Sequence, residues 1–193
     1  TVPHNVSNAL AAAGLARALD VPHEDIQKAL RDFRPGRHRI ETVYENNGVT
    51  WINDSKATNP HAAAASLMSH LSVIWIAGGL AKGADMQHLI QRAGGRIKVA
   101  ILVGADRQLI EAALIKDAPH VPRIIIDTPD DYVRGGVSNS LMEAIVAEAA
   151  KHAASGDAVL LAPACASMDQ YISYADRGDR FARAVKKVIA HEA

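Results

Sequence analysis

SVIWIAGG, residues 72–79, is a short run of branched and aromatic apolar residues closed by two glycines. From Val73 to Ala77 the run has no polar position and so no solvated face, which predicts a strand buried on both sides, with a sharp exit at the glycines. A helical segment follows at about 85–93, and the rhythm then repeats. KVAILVG (98–104) leads to a helix at 106–115, PRIIID (122–127) to one at 138–153, and DAVLLAPA (157–164) to closing helices from about 169 to 190. Buried strands alternating with helices predict an α/β fold, a mostly parallel sheet with helices on both faces.

Working outward, IETVYE (40–45) and VTWIN (49–53) flank Asn47-Gly48 and predict a β-hairpin at the start of the sheet. Two helices precede it. NVSNALAAAGLARAL (5–19) is rich in alanine and leucine, and VPHEDIQKALRDF (21–33) carries Pro22 and an acidic pair at its start. Pro35 and Gly36 then mark a boundary. These helices have no sheet of their own to cover, and the chain opens Thr-Val-Pro-His without an initiator Met. Both features read as the end of something that begins outside the chain. The polar, glycine-rich stretch 127–140 is expected to be an exposed loop.

The 193 residues are 49% apolar and 22% charged, enough to bury a core and too apolar for a disordered chain. Lys plus Arg equals Asp plus Glu at 21 each, so no global basic field points to nucleic acid. A single cysteine, Cys165, excludes an internal disulfide and suits a reducing compartment. The apolar runs 73–77 and 158–162 are too short to span a bilayer. None of the nine histidines sits in a zinc-binding pattern, and His4 and His38 read equally well as solvated side chains.

In open α/β sheets ligands bind outside the carboxyl ends of the strands, so chemistry should follow the apolar runs. NDSKATNP (53–60) does so with Asp54, Ser55, Lys56 and Thr58, more polar groups than a helix cap needs. Asn59-Pro60 suffices as N-cap and first helical residue, while Asp54 and Lys56 read either as a surface ion pair or as part of a site. GGLAKGAD (78–85) offers a close backbone approach and a point charge at Lys82, with a glycine turn bearing a solvated lysine as the plainer reading. It is not a phosphate-binding G-x-x-x-x-G-K-[ST] loop. LVGADRQLIEAAL (102–114) reads as a structural turn. In APACASMDQYISYADRGDRF (162–181), Ser167 and the amides after it predict an anion-binding helix start. Cys165 reads as a small buried thiol, and Asp176, Arg177, Asp179 and Arg180 as a surface salt-bridge lattice. On chemistry alone, an enzyme piece and a small-molecule binding module remain open.

Taken together, HNVSNALAA (4–12), GRHRIE (36–41), NDSKATNP, GGLAKGAD and PACASMDQY…RGDRF resemble the Mur ligases, in that family's order and over nearly the whole chain. The resemblance implies residues 1–35 as the last helices of a central ATPase domain and 36–193 as a Rossmann-like, amino-acid-binding C-terminal domain. A UDP-binding domain, the phosphate loop and the magnesium ligands would lie in parts of a parent protein outside this chain. The implied reaction is ATP-dependent amide formation with Mg2+ in a bacterial cytoplasm, joining D-glutamate to UDP-N-acetylmuramoyl-L-alanine through an acyl phosphate. No nucleic acid or membrane is involved, and the chain alone is expected to be inactive. By the same resemblance Asn5 and Asn8 lie near adenine. Arg39, Asp54 and Lys56 lie on the ATP side, Asp54 toward the ribose and Lys56 close to the phosphates. Thr58, Lys82, Ser167, Met168 and Tyr174 line the D-glutamate pocket, with Lys82 and Lys56 nearest the chemistry. Tyr174 replaces a usual Phe, Ala162 a usual Ser and Met86 a usual Phe, which touches fine specificity rather than the reaction. The alternatives are another ligase of the family, of folylpolyglutamate or diaminopimelate-adding type, and a non-catalytic α/β binding domain.

Overall fold

The computed structural model describes residues 3–34 and 36–189, with backbone only for 3–5. The chain divides into two compact units, Thr1–Arg37 and His38–Ala193. Among the described residues no helix is long and apolar enough to cross a membrane.

The first unit is a helical pair, α1 (Pro3–Ala18) and α2 (His23–Asp32). Asp20, at φ 58°, stops α1 in the left-handed conformation more often given to glycine. Val21 N–H reaches the Ala16 carbonyl and Asp20 N–H the Arg17 carbonyl, both at 3.1 Å, which satisfies two of the helix's last acceptors. Glu24 and Asp25 lie in the first turn of α2, where the helix dipole favours negative charge. Leu10, Leu15 and Leu19 are exposed, and Ile26 is buried.

The second unit is a six-stranded sheet. β1 (Glu41–Asn46) and β2 (Val49–Asn53) form the antiparallel hairpin, with Asn47 at φ 51° and Gly48 at φ 74°. Two successive positive φ values match the right-handed twist of the strands they join. Then follow α3 (Pro60–Leu67), β3 (Val73–Gly78), α4 (Gln87–Ala93), β4 (Ile97–Val103), α5 (Arg107–Asp117) and β5 (Arg123–Ile125). The chain ends with α6 (Ser140–His152), β6 (Ala158–Leu161) and α7 (Tyr174–Ile189). The sheet order is β1-β2-β6-β3-β4-β5, and β2, β6, β3, β4 and β5 are parallel.

Every residue of β3 is buried, as its uninterrupted apolar run requires. Alternate strand residues divide between two cores. Trp75, Leu102 and Leu160 pack with Ala63 and Leu67 of α3, Leu89 and Ile90 of α4, and Ile110 and Leu114 of α5. Ile74, Ile101 and Val159 pack with Ile145 and Val146 of α6 and with Phe181 and Val185 of α7. Each buried Val, Leu, Ile or Phe among them contributes about 1.5–3 kcal/mol by leaving water.

The closing segment differs from expectation. A single helix starts at Tyr174, and 167–173 is a series of turns. The Ser173 hydroxyl accepts the Asp176 N–H at 3.1 Å and so caps α7 one residue before its start. The Ser167 carbonyl accepts Gln170 N–H at 3.2 Å and Tyr171 N–H at 2.8 Å, one closed turn that does not propagate. Ser167 therefore does not sit at a helix N-terminus, and the anion site expected of a helix dipole there is absent.

Candidate functional site

β2 and β3 feed α3 and α4 into one core, whereas β6, which lies between them, feeds α7 into the other. The chain thus leaves the sheet in opposite directions on either side of β6. Such a change of direction marks the place, outside the carboxyl ends of the strands, where open α/β sheets bind ligands.

Three loops are laced together along that edge. Ala164 N–H donates to the Ala57 carbonyl at 3.0 Å, joining the loop after β6 to the loop after β2. Leu80 and Ala166 exchange two hydrogen bonds of 2.9 Å, joining the loop after β6 to the loop after β3. The crossing needs glycine: at Gly79 φ is 126° and a Cβ would strike the Ala166 carbonyl. The turn after β4 is drawn in as well. Asp106 N–H donates to the Gly79 carbonyl at 2.9 Å, the Asp106 carboxylate accepts Ala81 N–H at 2.8 Å, and the Asp169 carboxylate accepts Ala105 N–H at 2.9 Å. Thr58, Lys82, Ser167 and Met168 each stand one or two residues beyond one of these ties.

Arg177 fastens the lacing from below. It is 3% exposed, and its guanidinium donates to the Ser55 hydroxyl at 2.9 Å, the Ser55 carbonyl at 3.0 Å and, twice, the Cys165 carbonyl at 3.2 Å. The Ser55 hydroxyl in turn donates to the Tyr174 carbonyl at 2.7 Å. All these acceptors are neutral, and burial lowers the Arg177 pKa to about 10. The thiol of Cys165 is fully buried and pushed up to about 12 by desolvation, with Arg177 opposing, so it is not a nucleophile at neutral pH. Arg180 is also buried, held by Asp176 at 2.9 Å and by the Ser138 and Gly136 carbonyls at 2.6 Å. The surface lattice read from residues 176–180 is thus corrected, because two of its four members face inward.

His38 is corrected in the same way. It is 5% exposed, its ring nitrogen Nδ1 lies 2.9 Å from Asn53 Nδ2, and its ring meets Tyr174 edge-on at 6.2 Å. Asn53 also donates to the Gly178 carbonyl at 3.1 Å, where a side chain on Gly178 would collide with the imidazole. Lys56 N–H donates to the His38 carbonyl at 3.1 Å, and Ile40 N–H to an Asp54 oxygen at 3.3 Å. Arg39 sits between these two anchors, exposed and with no partner among the described residues.

The remaining expected residues fall as follows. Asp54 is 7% exposed. Lys56 is half-buried, its ammonium 4.1 Å from the centre of the Tyr174 ring, a cation–π contact. Thr58 is partly exposed, Ser167 is buried and Met168 is exposed. Lys82 is exposed, at φ 52°, and makes no hydrogen bond or ion pair among the described residues. Asn8 is exposed on α1 in the first unit, and the side chain of Asn5 lies outside the described residues. Of the six described non-glycine residues with positive φ, four (His38, Ile40, Lys82, Ala164) belong to this edge. Each such residue stores about 1–3 kcal/mol, which the lacing must hold in place.

A cleft of about 260 Å3 opens beside the edge, lined by Asn59, Pro60, His61, Asp85, His88 and Arg92 among others. A larger hollow, about 420 Å3, lies at the opposite end of the sheet around Gly48, Ser72 and Asp157. Among the described residues no group of three His, Cys, Asp or Glu side chains could hold a metal ion.

An open, mostly parallel sheet with a laced polar edge, where Lys82 and Arg39 have no partner among the described residues, defines an α/β domain. Residues 38–165 match the Mur ligase glutamate ligase domain, and the chain belongs to the Mur ligase family. It is 52% identical, over 95% of its length, to the UDP-N-acetylmuramoylalanine–D-glutamate ligase of Streptomyces avermitilis, and 45% identical over 97% to that of Mycobacterium avium. The chain spans 38% and 42% of those two relatives. Among solved structures, the UDP-N-acetylmuramate–alanine ligase of Thermotoga maritima shares the fold at a TM-score of 0.63 and 14% identity, covering 97% of this chain and 39% of that one. A pseudomurein peptide ligase type C from Methanothermus fervidus matches at 0.62 and 18%, covering 97% and 36%.

Proposed function

We propose that this chain is the amino-acid-binding part of an ATP-dependent ligase that joins D-glutamate to UDP-N-acetylmuramoyl-L-alanine in peptidoglycan precursor synthesis, in the bacterial cytoplasm. The observation that carries this reading is the 52% identity across 95% of the chain to a relative of that name. In this reading residues 36–193 are the C-terminal domain and 1–35 the last helices of the central ATPase domain.

The edge offers what a dicarboxylate needs. Lys82 is a cation with its donors unused, Thr58 and Ser167 bring hydroxyls, and Met168 and Tyr174 complete the wall. Charge-assisted hydrogen bonds of this kind are about twice as strong as neutral ones. ATP is the second substrate, and the cations of Arg39 and Lys56 with the Asp54 carboxylate as acceptor fit a nucleotide. The Mg2+ ligands are assigned, by the family resemblance, to the central domain.

A carboxylate resists attack by an amine until its oxygen becomes a good leaving group, which phosphorylation by ATP provides. This chain's part is to hold the amine of D-glutamate against the resulting acyl phosphate and to keep water away. The test is phosphate release by the full-length protein with ATP, UDP-N-acetylmuramoyl-L-alanine and one amino acid at a time. D-glutamate should support turnover, whereas L-glutamate and diaminopimelate should not. Turnover with another amino acid in preference to D-glutamate overturns the assignment, and ligation by this chain alone overturns its reading as one part of the enzyme.

A further inference from the structure

The loop between β5 and α6 is largely exposed, as its composition predicts, and its side chains hold the backbone beside Ser167. The turn that starts at Ser167 uses the Ser167 carbonyl for two N–H groups and leaves the Met168 and Gln170 carbonyls over. The loop takes both: Arg134 Nη1 donates to the Met168 carbonyl at 2.7 Å, and the Tyr132 hydroxyl to the Gln170 carbonyl at 2.6 Å. Gln170 returns a bond, its Nε2 donating to the Thr128 hydroxyl at 2.7 Å.

The loop is itself fixed to α7. Arg180 donates to the Ser138 and Gly136 carbonyls, and Asn139 Nδ2 donates to the Arg180 carbonyl at 3.1 Å. A continuous hydrogen-bonded path therefore runs from buried Arg180 through the loop to the Met168 peptide. We propose that Arg134, seconded by Tyr132, is a positioning residue for the incoming amino acid, acting by fixing the Met168 peptide and with it the Ser167–Met168 wall. This rests on the assignment of that wall to the amino-acid pocket.

Two observations favour positioning over a general structural role. The Arg134 side chain is exposed, and the Met168 carbonyl is its one partner among the described residues, so its loss removes little from the fold. The guanidinium bond disfavours rotation of the peptide plane that joins Met168 to Asp169, whose carboxylate ties this turn to Ala105.

The test uses steady-state kinetics and thermal melts of the full-length protein carrying Arg134→Ala, Arg134→Lys and Tyr132→Phe. Arg134→Ala should raise the KM for D-glutamate about tenfold, the scale of one lost charge-assisted hydrogen bond, with the KM for ATP and the Tm nearly unchanged. Arg134→Lys, which still offers a charged donor, should recover most of the loss, and Tyr132→Phe should shift the same constant by about threefold. A D-glutamate KM that stays at the wild-type value, or an ATP KM that rises in parallel, overturns the proposal. A wild-type protein that ligates no D-glutamate overturns the functional reading and this proposal with it. Wild-type turnover with an unaffected Arg134→Ala overturns this proposal alone.

Discussion

The two ends of the sheet treat charge in opposite ways. At the amino ends of the strands Asp157 is 7% exposed and fully engaged: Lys98 Nζ and the Ser72 hydroxyl donate to it at 2.6 Å and Ala154 N–H at 2.8 Å. At the carboxyl ends Arg177 is buried against neutral acceptors only, and Lys82 and Arg39 stand exposed without a partner among the described residues. The first end is arranged for stability, with an acid neutralised inside the fold. The second leaves Lys82 and Arg39 exposed and holds strained backbone, with the Asp106 and Asp169 carboxylates nearby tied to the Ala81 and Ala105 N–H groups.

The largest expected effect comes from cutting the fastening of the carboxyl end. Arg177→Met leaves the Ser55 hydroxyl and the Ser55 and Cys165 carbonyls without their donor, which should destabilise the domain by about 2–3 kcal/mol. It should also lower ligase activity of the full-length protein by about a hundredfold, the scale of a misplaced reacting group. Arg177→Lys should rescue little, because a single ammonium cannot reproduce four bonds to two residues. Wild-type kinetics in either variant would show that the lacing is idle.

Gly79→Ala should cost about 1–3 kcal/mol in denaturant melts, since its φ of 126° disfavours any side chain and the added methyl meets the Ala166 carbonyl. The amino end should respond to pH instead. Burial raises the Asp157 pKa, but Lys98, Ser72 and the Ala154 amide outweigh it and hold the carboxyl below its usual value of 3.8. Its stabilisation is therefore fully present above about pH 4 and is lost as pH falls through the lowered folded value. Asp157→Asn should cost about 1 kcal/mol at neutral pH and flatten that acid limb, leaving substrate constants unchanged. A change in KM here would erase the contrast between the two ends.

Much of this fold is legible from local pattern. Asn47-Gly48 announces the hairpin, the uninterrupted run 73–77 announces a central strand, and Asn59-Pro60 announces α3, where Asn59 Oδ1 accepts the Ala62 N–H at 2.9 Å. Arg177 was misread because its i+3 spacing with polar neighbours looks like a solvated helix face. Its partners Ser55 and Cys165 lie in the loops after β2 and β6, 122 residues away in the case of Ser55, and nothing local in the sequence encodes that. The turn at 167–173 was misread as helix because its composition is compatible with one. The deciding bonds are Ala166 to Leu80, Asp169 to Ala105 and Met168 to Arg134, all tertiary. For the same reason the loop 127–140, polar and glycine-rich, shows no sign of its bonds to the Met168 and Gln170 carbonyls.

The central claim is that the carboxyl edge keeps Lys82 unpartnered for the amino acid. It is tested most directly by Lys82→Ala in the full-length protein, measuring KM for D-glutamate and for ATP side by side. The D-glutamate KM should rise by about tenfold or more, the worth of one charge-assisted bond to a carboxylate, while the ATP KM moves by less than about twofold. Equal loss for both substrates, or none for D-glutamate, would contradict the account.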